Sequence, residues 1–494
     1  MHESPTPRTE TPQARTLHDL RESGHTYRTV KAEIRENLLA RLRSGAPRFP
    51  GIVGFDDTVL PHLERALLAG HDLVLLGERG QGKTRLIRTV TGLLDEWTPV
   101  IDGCEINDHP YAPACVRCVR LAAEQGHDLP IAWKHRDDRY GEKLATPDTS
   151  VGDLIGDVDP IKIAEGRTLG DPETVHYGLV PRTNRGVFSV NELPDLAERI
   201  QVSLLNVLEE RDIQVRGYNL RLPLDLLLIA SANPEDYTNR GRIITPLKDR
   251  FGAEIRTHYP QSLEDELALI RQEAALNWRG DDPASGAVTG GVAGEPSGLS
   301  AELPEHLMEV IARFTRLVRE STAVDSRSGV SARFAIAAAE SAAASAVRRA
   351  ALTGEERPVT RVCDLPGIVP TLRGKVEFEV SEEGREVEVL SHLLRRATAE
   401  TFRGTLGGMD LSALLDKFTE GLQIESGEMT PATDLLHRIG PITGLAKIMS
   451  AVGMGEGDES PGHAAAALEF ALEGLYLMRR LSKDEVDGGA VYRT

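Results

Sequence analysis

"HDLVLLGERGQGKTRLIRTVTGLL" (residues 71–94) reads as an apolar run, a glycine-rich turn and then a helix-forming stretch. The turn, Gly77-Glu78-Arg79-Gly80-Gln81-Gly82-Lys83-Thr84, fits the phosphate-loop pattern G-x-x-x-x-G-K-[ST]. Glycines at such a turn let backbone N–H groups converge on phosphate oxygens, and the helix that follows aims the positive end of its dipole at them. In this reading Lys83 faces the β- and γ-phosphates of ATP, and the Thr84 hydroxyl ligates Mg²⁺. A chance glycine-rich turn holding Lys-Thr is the competing account. The apolar run before the motif and the helical pattern after it argue against chance.

Two more short apolar runs follow, "GVFSV" (186–190) and "LDLLLIAS" (224–231), each too short for a helix and bounded by turn residues. Buried parallel strands have this character. Between them "LAERIQVSLLNVLEER" (196–211) sets Leu196, Ile200, Leu204 and Leu208 on one helical face, and upstream "TVKAEIRENLLARLRSG" (29–45) reads as a helix ended by Gly45. Alternating strands and helices predict an α/β fold, a parallel sheet flanked by helices. The second strand runs on as "GVFSVNELPDL" (186–196), ending in Asn191-Glu192. Phosphate-loop hydrolases end this strand in two acids, one near magnesium and one orienting the attacking water. Glu192 is the candidate for the second role. Asn191, in the first position, can hydrogen-bond to the water shell of magnesium but brings no negative charge, so slow hydrolysis is expected.

At 494 residues the chain is too long for one hydrophobic core, and two or three domains are expected. With 57 basic against 76 acidic residues its formal charge is −19, a surface that repels phosphate backbones, so nucleic acid is not the expected partner. No stretch approaches the roughly 20 apolar residues of a membrane span, and "MHESPTPRTETPQART" lacks the apolar segment of a signal peptide. Four cysteines do not make a disulfide framework in a chain this long, which points to a reducing cytoplasm. Residues 1–27 read as a disordered tail. "DDPASGAVTGGVAGEPSGLS" (281–300) reads as a flexible linker, with helical, alanine-rich sequence beyond it, including "RFAIAAAESAAASAVRRA" (333–350) and "AAAALEFALEGLYLMRRL" (464–481).

"GCEINDHPYAPACVRC" gathers Cys104, Cys115 and Cys118, while the rest of the chain holds only Cys363. Cys115-x-x-Cys118 is the spacing of half a zinc site, and a third thiolate plus an imidazole from His109, His127 or His135 would complete it. The opposing account is cysteines that pack an insertion. If Zn²⁺ binds, its expected role is structural.

From about residue 50 to 400 the chain resembles the AAA+ ATPases of the magnesium-chelatase subunit I and MoxR clade. The resemblance rests on "FPGIVGFDD", "GERGQGKT", "HYGLVPRTNRGVFSVNELPDL", "VSLLNVLEERDIQVRGYNLRLPLDLLLIASANPEDY" and "PLKDRF". It implies an AAA+ nucleotide-binding domain over 28–280 with insertions at 104–145, 148–180 and 214–225 (a hairpin) and a helical lid over 301–400; residues 401–494, helical in pattern, form an extension that the resemblance does not cover. It also implies roles for three residues: Asn233 in "SANP" as the polar sensor of the γ-phosphate, Arg250 in "LKDRFG" as an arginine finger for a neighbouring subunit, and Arg333 in "GVSARF" as a lid arginine, with Arg240 and Arg242 as runners-up for nucleotide contact. A planar guanidinium suits the spread charge of a phosphoryl group in transfer. The function implied is a ring, hexameric by analogy, that couples ATP hydrolysis to the remodelling of a protein partner. The clade's habit adds a separate chain carrying a von Willebrand factor A domain. Two other readings are the motor of a true magnesium chelatase and a nucleotide-gated switch that scarcely hydrolyses. A sigma-54 activator is disfavoured, because the sequence has no G-A-F-T-G-A string and no helix-turn-helix pattern.

Overall fold

The computed structural model describes residues 9–164, 174–209, 222–234, 241–276, 300–325, 329–455, 460–486 and 488–494. Most of the expected hairpin 214–225, all of the expected linker but Ser300, and Arg240 lie outside them. The chain divides into two compact units, one ending at His258 and the other beginning at Tyr259.

In chain order the strands of the first unit are β1 (Leu73–Leu76), β2 (Trp97–Ile101), β3 (Ile131–His135), β4 (Tyr140–Leu144), β5 (Gly156–Val158), β6 (Val175–Tyr177), β7 (Val187–Asn191), β8 (Leu227–Ala232) and β9 (Ala253–Arg256). Five of them form the central sheet in the order β4-β7-β8-β1-β9, with every neighbouring pair parallel. Side chains of period two divide this sheet into two faces. Leu73, Leu75, Val187, Leu227, Ile229 and Ile255 pack with the helices Val30–Ser44, Val59–Leu68 and Lys83–Val90. Val74, Leu76, Phe188, Val190, Leu228 and Ala230 pack on the other side with the helix Glu198–Glu209, through Ile200, Leu204, Val207 and Leu208. Burial on both faces explains why these strands read as unbroken apolar runs.

Several expected boundaries shift. The tail assigned to disorder contains the helix Leu17–Glu22, held by a capping box between Thr16 and Asp19 and by the burial of Leu17 and Leu20. Ahead of it Arg15 O accepts from Ile131 N at 2.9 Å, so this segment lies along β3. The insertion placed at 104–145 gives up its last residues to the sheet, where β4 pairs with β7. The nucleotide domain was expected to reach residue 280. The helix Leu263–Glu273 instead buries Leu267 and Ile270 in the core of the second unit.

That second unit is mostly helical, built on the helices Glu305–Glu320, Ala332–Thr353, Glu386–Thr405 and Pro461–Leu477. The expected lid and extension share one core, which runs from Leu267 to Tyr492. The extension adds an antiparallel sheet of β10 (Ile424–Gly427), β11 (Ser482–Val486) and β12 (Gly489–Arg493), in the order β10-β12-β11. Among the described residues no helix is long and apolar enough to cross a membrane.

Candidate nucleotide site

The phosphate loop connects the end of β1 to the helix Lys83–Val90. Gly80 and Gly82 take φ of +74° and +75°, a backbone region that glycine enters at little cost. Gly77 is required for space: a Cβ there would lie 2.0 Å from Thr257 Oγ1 and 2.3 Å from Gln81 Oε1. Thr257 Oγ1 donates to Gln81 Oε1 at 2.8 Å, tying the loop to the residue after β9. Glu78 and Arg79 are loop residues, and Thr84 lies in the first turn of the helix.

Lys83 is buried, and its ammonium donates to Gly77 O (2.5 Å), Glu78 O (2.8 Å) and Asn233 Oδ1 (2.7 Å). Asn233, just past β8, turns its amide nitrogen to Glu192 Oε2 at 2.6 Å. Lys83, Asn233 and Glu192 therefore form one continuous chain of contacts across the carboxyl ends of β1, β8 and β7. Glu192 holds φ +55° and ψ +48°, a left-handed conformation that costs a non-glycine residue about 1–2 kcal/mol. Its backbone N–H donates to Ser231 Oγ at 3.4 Å. Strain of this kind collects where a side chain has to be aimed.

Asn191 is buried, and its Oδ1 accepts from the hydroxyls of Ser231 (3.2 Å) and Ser189 (3.4 Å). Its Nδ2 donates to Glu142 Oε1 at 2.5 Å. Glu142 is in the neighbouring strand β4, opposite Ser189. The other oxygen of Glu142 accepts from Arg88 Nη2 (2.8 Å) and Tyr140 OH (3.0 Å). Sequence reading missed Glu142: one glutamate in "YGEKL" matches no motif, and only the β4–β7 pairing brings it beside residue 191.

Thr84, Asn191 and Glu142 each carry an oxygen of the type the hard cation Mg²⁺ takes.

Arg250 ends the helix Thr245–Arg250, exposed, and pairs with Glu209 at 2.8 Å and Asp249 at 3.2 Å in its own chain. Arg242 is exposed, and its carbonyl accepts from Gln201 Nε2 at 3.1 Å. Arg333 belongs to the second unit, exposed in the first turn of the helix Ala332–Thr353, with its backbone N–H on Ser331 Oγ at 3.2 Å.

The three cysteines of the insertion meet, but no histidine joins them. Ligand atoms of Cys104, Asp108, Cys115 and Cys118 all lie within 4.8 Å of one another, the one such group among the described residues. His109 stacks on His25, with ring centroids 5.4 Å apart and Nε2 atoms 3.2 Å apart. Burial, with Arg185 and His25 adding to it, pushes its pKa down to about 3. His127 contacts Arg21 at 3.2 Å, and His135 contacts Asp137 at 3.1 Å. Asp108 takes the place the sequence reading gave to a histidine, because the backbone turn at Asn107, with φ +57°, returns the chain to Cys104.

Fold and site define a phosphate-loop nucleotide-binding core of the AAA+ type. Its sequence is similar to that of magnesium-chelatase I subunits. Residues 167–250 match the family model described as the Sigma-54 interaction domain. The chain is 30% identical over 251 residues to the magnesium-chelatase 38 kDa subunit of Rhodobacter capsulatus, an alignment covering 47% of this chain and 65% of that one. It is 28% identical over 215 residues to the magnesium-chelatase subunit ChlI of Guillardia theta, covering 42% and 56%. The chain thus spans rather more than half the length of these relatives. Among solved structures, the complex of the magnesium-chelatase subunits BchI and BchD overlays at TM-score 0.35 and 21% identity, covering 69% of this chain and 98% of that one. NtrX from Brucella abortus in complex with ADP overlays at TM-score 0.39 and 14% identity, covering 77% and 71%. Overlays this loose add nothing to the assignment.

Proposed function

We propose that the protein is a slow ATP hydrolase that assembles as a ring in the cytoplasm and couples hydrolysis to remodelling or activation of a protein partner. The observation that supports it most is the contact chain Lys83–Asn233–Glu192, which joins a phosphate-binding cation, a polar relay and a carboxylate on three adjacent strand ends. ATP phosphates would take over Lys83 from the carbonyls of Gly77 and Glu78. Asn233, now bonded on both sides, would report that change to Glu192. Glu192 would orient and deprotonate the attacking water. Mg²⁺, when bound with the nucleotide, would supply positive charge against the negative charge that develops on the phosphates. Thr84, Asn191 and Glu142 would hold it. A formal neutral at 191 leaves the metal less firmly held, hence the slow rate. Arg250 would reach the nucleotide of a neighbouring copy, and Arg333 would contribute from the lid. A partner carrying a von Willebrand factor A domain fits this scheme, and a structural Zn²⁺ in the cysteine insertion completes the cofactor set.

A second reading, the motor of a true magnesium chelatase, is favoured by the relatives, which carry that name. A co-purifying porphyrin-binding chain would separate it from the first.

The test is Glu192→Gln in the full chain. The variant should bind a fluorescent ATP analogue as the wild type does and turn over ATP at least about a hundred-fold more slowly, the lower range for loss of a general base. Turnover equal to the wild type would show that Glu192 is not catalytic, and a nucleotide-gated switch would take first place.

A further inference from the structure

We infer that Cys104, Asp108, Cys115 and Cys118 bind one zinc ion, and that this centre holds the loop leading into β7. The inference rests on the zinc part of the reading above and is independent of ATP hydrolysis.

The ligand atoms stand within 4.8 Å of one another. Tetrahedral zinc with bonds of about 2.0–2.3 Å sets its ligand atoms about 3.5–3.8 Å apart, so side-chain adjustments of roughly 1 Å close the site. Cys115, Cys118 and Asp108 are 6%, 0% and 1% exposed. Asp108 carries the clearest mark of a missing cation. Its Oδ2 accepts from Ala114 N (2.9 Å) and Cys115 N (2.8 Å), while its Oδ1 is buried with no hydrogen-bond partner. A carboxylate oxygen in that state is costly unless a positive charge meets it. Backbone amides are also aimed at two of the sulfurs: Asp108 N at Cys104 Sγ and Cys118 N at Cys115 Sγ, both 3.3 Å. Such outer contacts steady thiolate ligands. Three sulfurs and one oxygen suit zinc and exclude the oxygen-seeking Mg²⁺ and Ca²⁺.

The loop between β2 and the helix Val116–Gln125 has little regular structure to hold it, its one isolated bridge being His109 to Ala112. It is nevertheless laced to the segment before β7. Asn107 Nδ2 donates to Arg182 O (2.7 Å) and Asn184 O (3.2 Å), and Asn184 Nδ2 returns a bond to Ile106 O (3.0 Å). Ile106 and Asn107 lie between two of the zinc ligands. Fixing Cys104 and Asp108 on a metal therefore fixes residues 182–184, and through Arg185 and Gly186 the strand that ends in Asn191 and Glu192. An irregular loop of this kind takes its fold from the metal.

The experiment is metal analysis of the full, untagged chain purified without added zinc. About one zinc per chain is expected, falling to near zero in Cys115→Ser. In chelator competition Asp108→Asn should bind zinc about ten-fold or more weakly, at least the effect of losing an outer-shell partner. Should the cysteine variant fail to fold, cobalt substitution of the wild type decides: intense visible bands and a sulfur-to-cobalt band in the near ultraviolet support the site. Absence of those bands, or near-zero zinc with all three thiols freely titratable in the folded protein, overturns it. Unchanged zinc affinity in Asp108→Asn overturns the fourth ligand. Removal of zinc should also raise amide hydrogen exchange across 182–186, and unchanged exchange there overturns the coupling. ATP turnover enters none of these readings.

Discussion

Asn191 and Glu192 stand side by side at the end of β7, yet their side chains turn to different partners. Glu192 reaches toward Asn233, while Asn191 turns sideways to Glu142. A single charge beside a divalent ion, less the cost of desolvating it, contributes about 1–2 kcal/mol, or roughly ten-fold in magnesium affinity. Asn191→Asp should therefore lower the Mg²⁺ needed for half-maximal binding of a fluorescent ATP analogue, with turnover equal or higher. Glu142→Gln should raise that requirement by a similar factor and leave turnover at saturating Mg²⁺ largely intact. Should both variants titrate with Mg²⁺ as the wild type does, neither position lies near the metal. The phosphate loop, Asn191 and Glu192 stand out in the sequence through a motif and a strand pattern, and Asn233 through the family resemblance. Glu142 and Asp108 do not, since each acquires its meaning only from a neighbour that folding brings alongside.

Among the elements, legibility follows burial. Strands β1, β7 and β8 are central and apolar, and the sequence announces them. β4 ("YGEKL") and β9 ("AEIR") form the edges of the same sheet, where polar residues are tolerated, and neither was found. The run "NRGV" carries family likeness, but the geometry gives it a structural explanation. Asn184 bonds Ile106 O and Asp225 N, Arg185 binds Asp225 Oδ2 at 2.6 Å, and a Cβ on Gly186 would lie 2.0 Å from Arg139 O. Arg139 is one of the largest buried side chains. It forms a two-pronged ion pair with Glu33 (2.7 and 2.8 Å) that fastens the helix Val30–Ser44 to the sheet domain, and it donates to Arg185 O at 2.6 Å. Breaking such a pair strands a buried charge. Arg139→Ala should destabilise the first unit by about 3–5 kcal/mol, while the double change Glu33→Leu with Arg139→Met should cost much less. Denaturant unfolding of the two variants checks this, and equal losses in both would show that packing rather than charge holds the helix.

Two units, each with its own core, divide the proposed machinery. Phosphate loop, Glu192 and Arg250 belong to the first, and Arg333 to the second. Sequence reading foresaw a helical region after the nucleotide domain. It placed the boundary too late because the helix Leu263–Glu273 shows its allegiance only through the core it enters. Arg250 is exposed and pairs with Glu209 in its own chain, an arrangement that solvent makes weak. The central claim is an ATP site completed by a second copy. Mixing two inactive variants tests it most directly. Glu192→Gln keeps the arginine and lacks the base; Arg250→Ala keeps the base and lacks the arginine. Each alone should bind ATP and hydrolyse it poorly, and an equimolar mixture should regain turnover, because some sites then pair an intact Glu192 with a neighbour's intact Arg250. A mixture no more active than the average of its components, or an Arg250→Ala variant as fast as the wild type, would contradict the account.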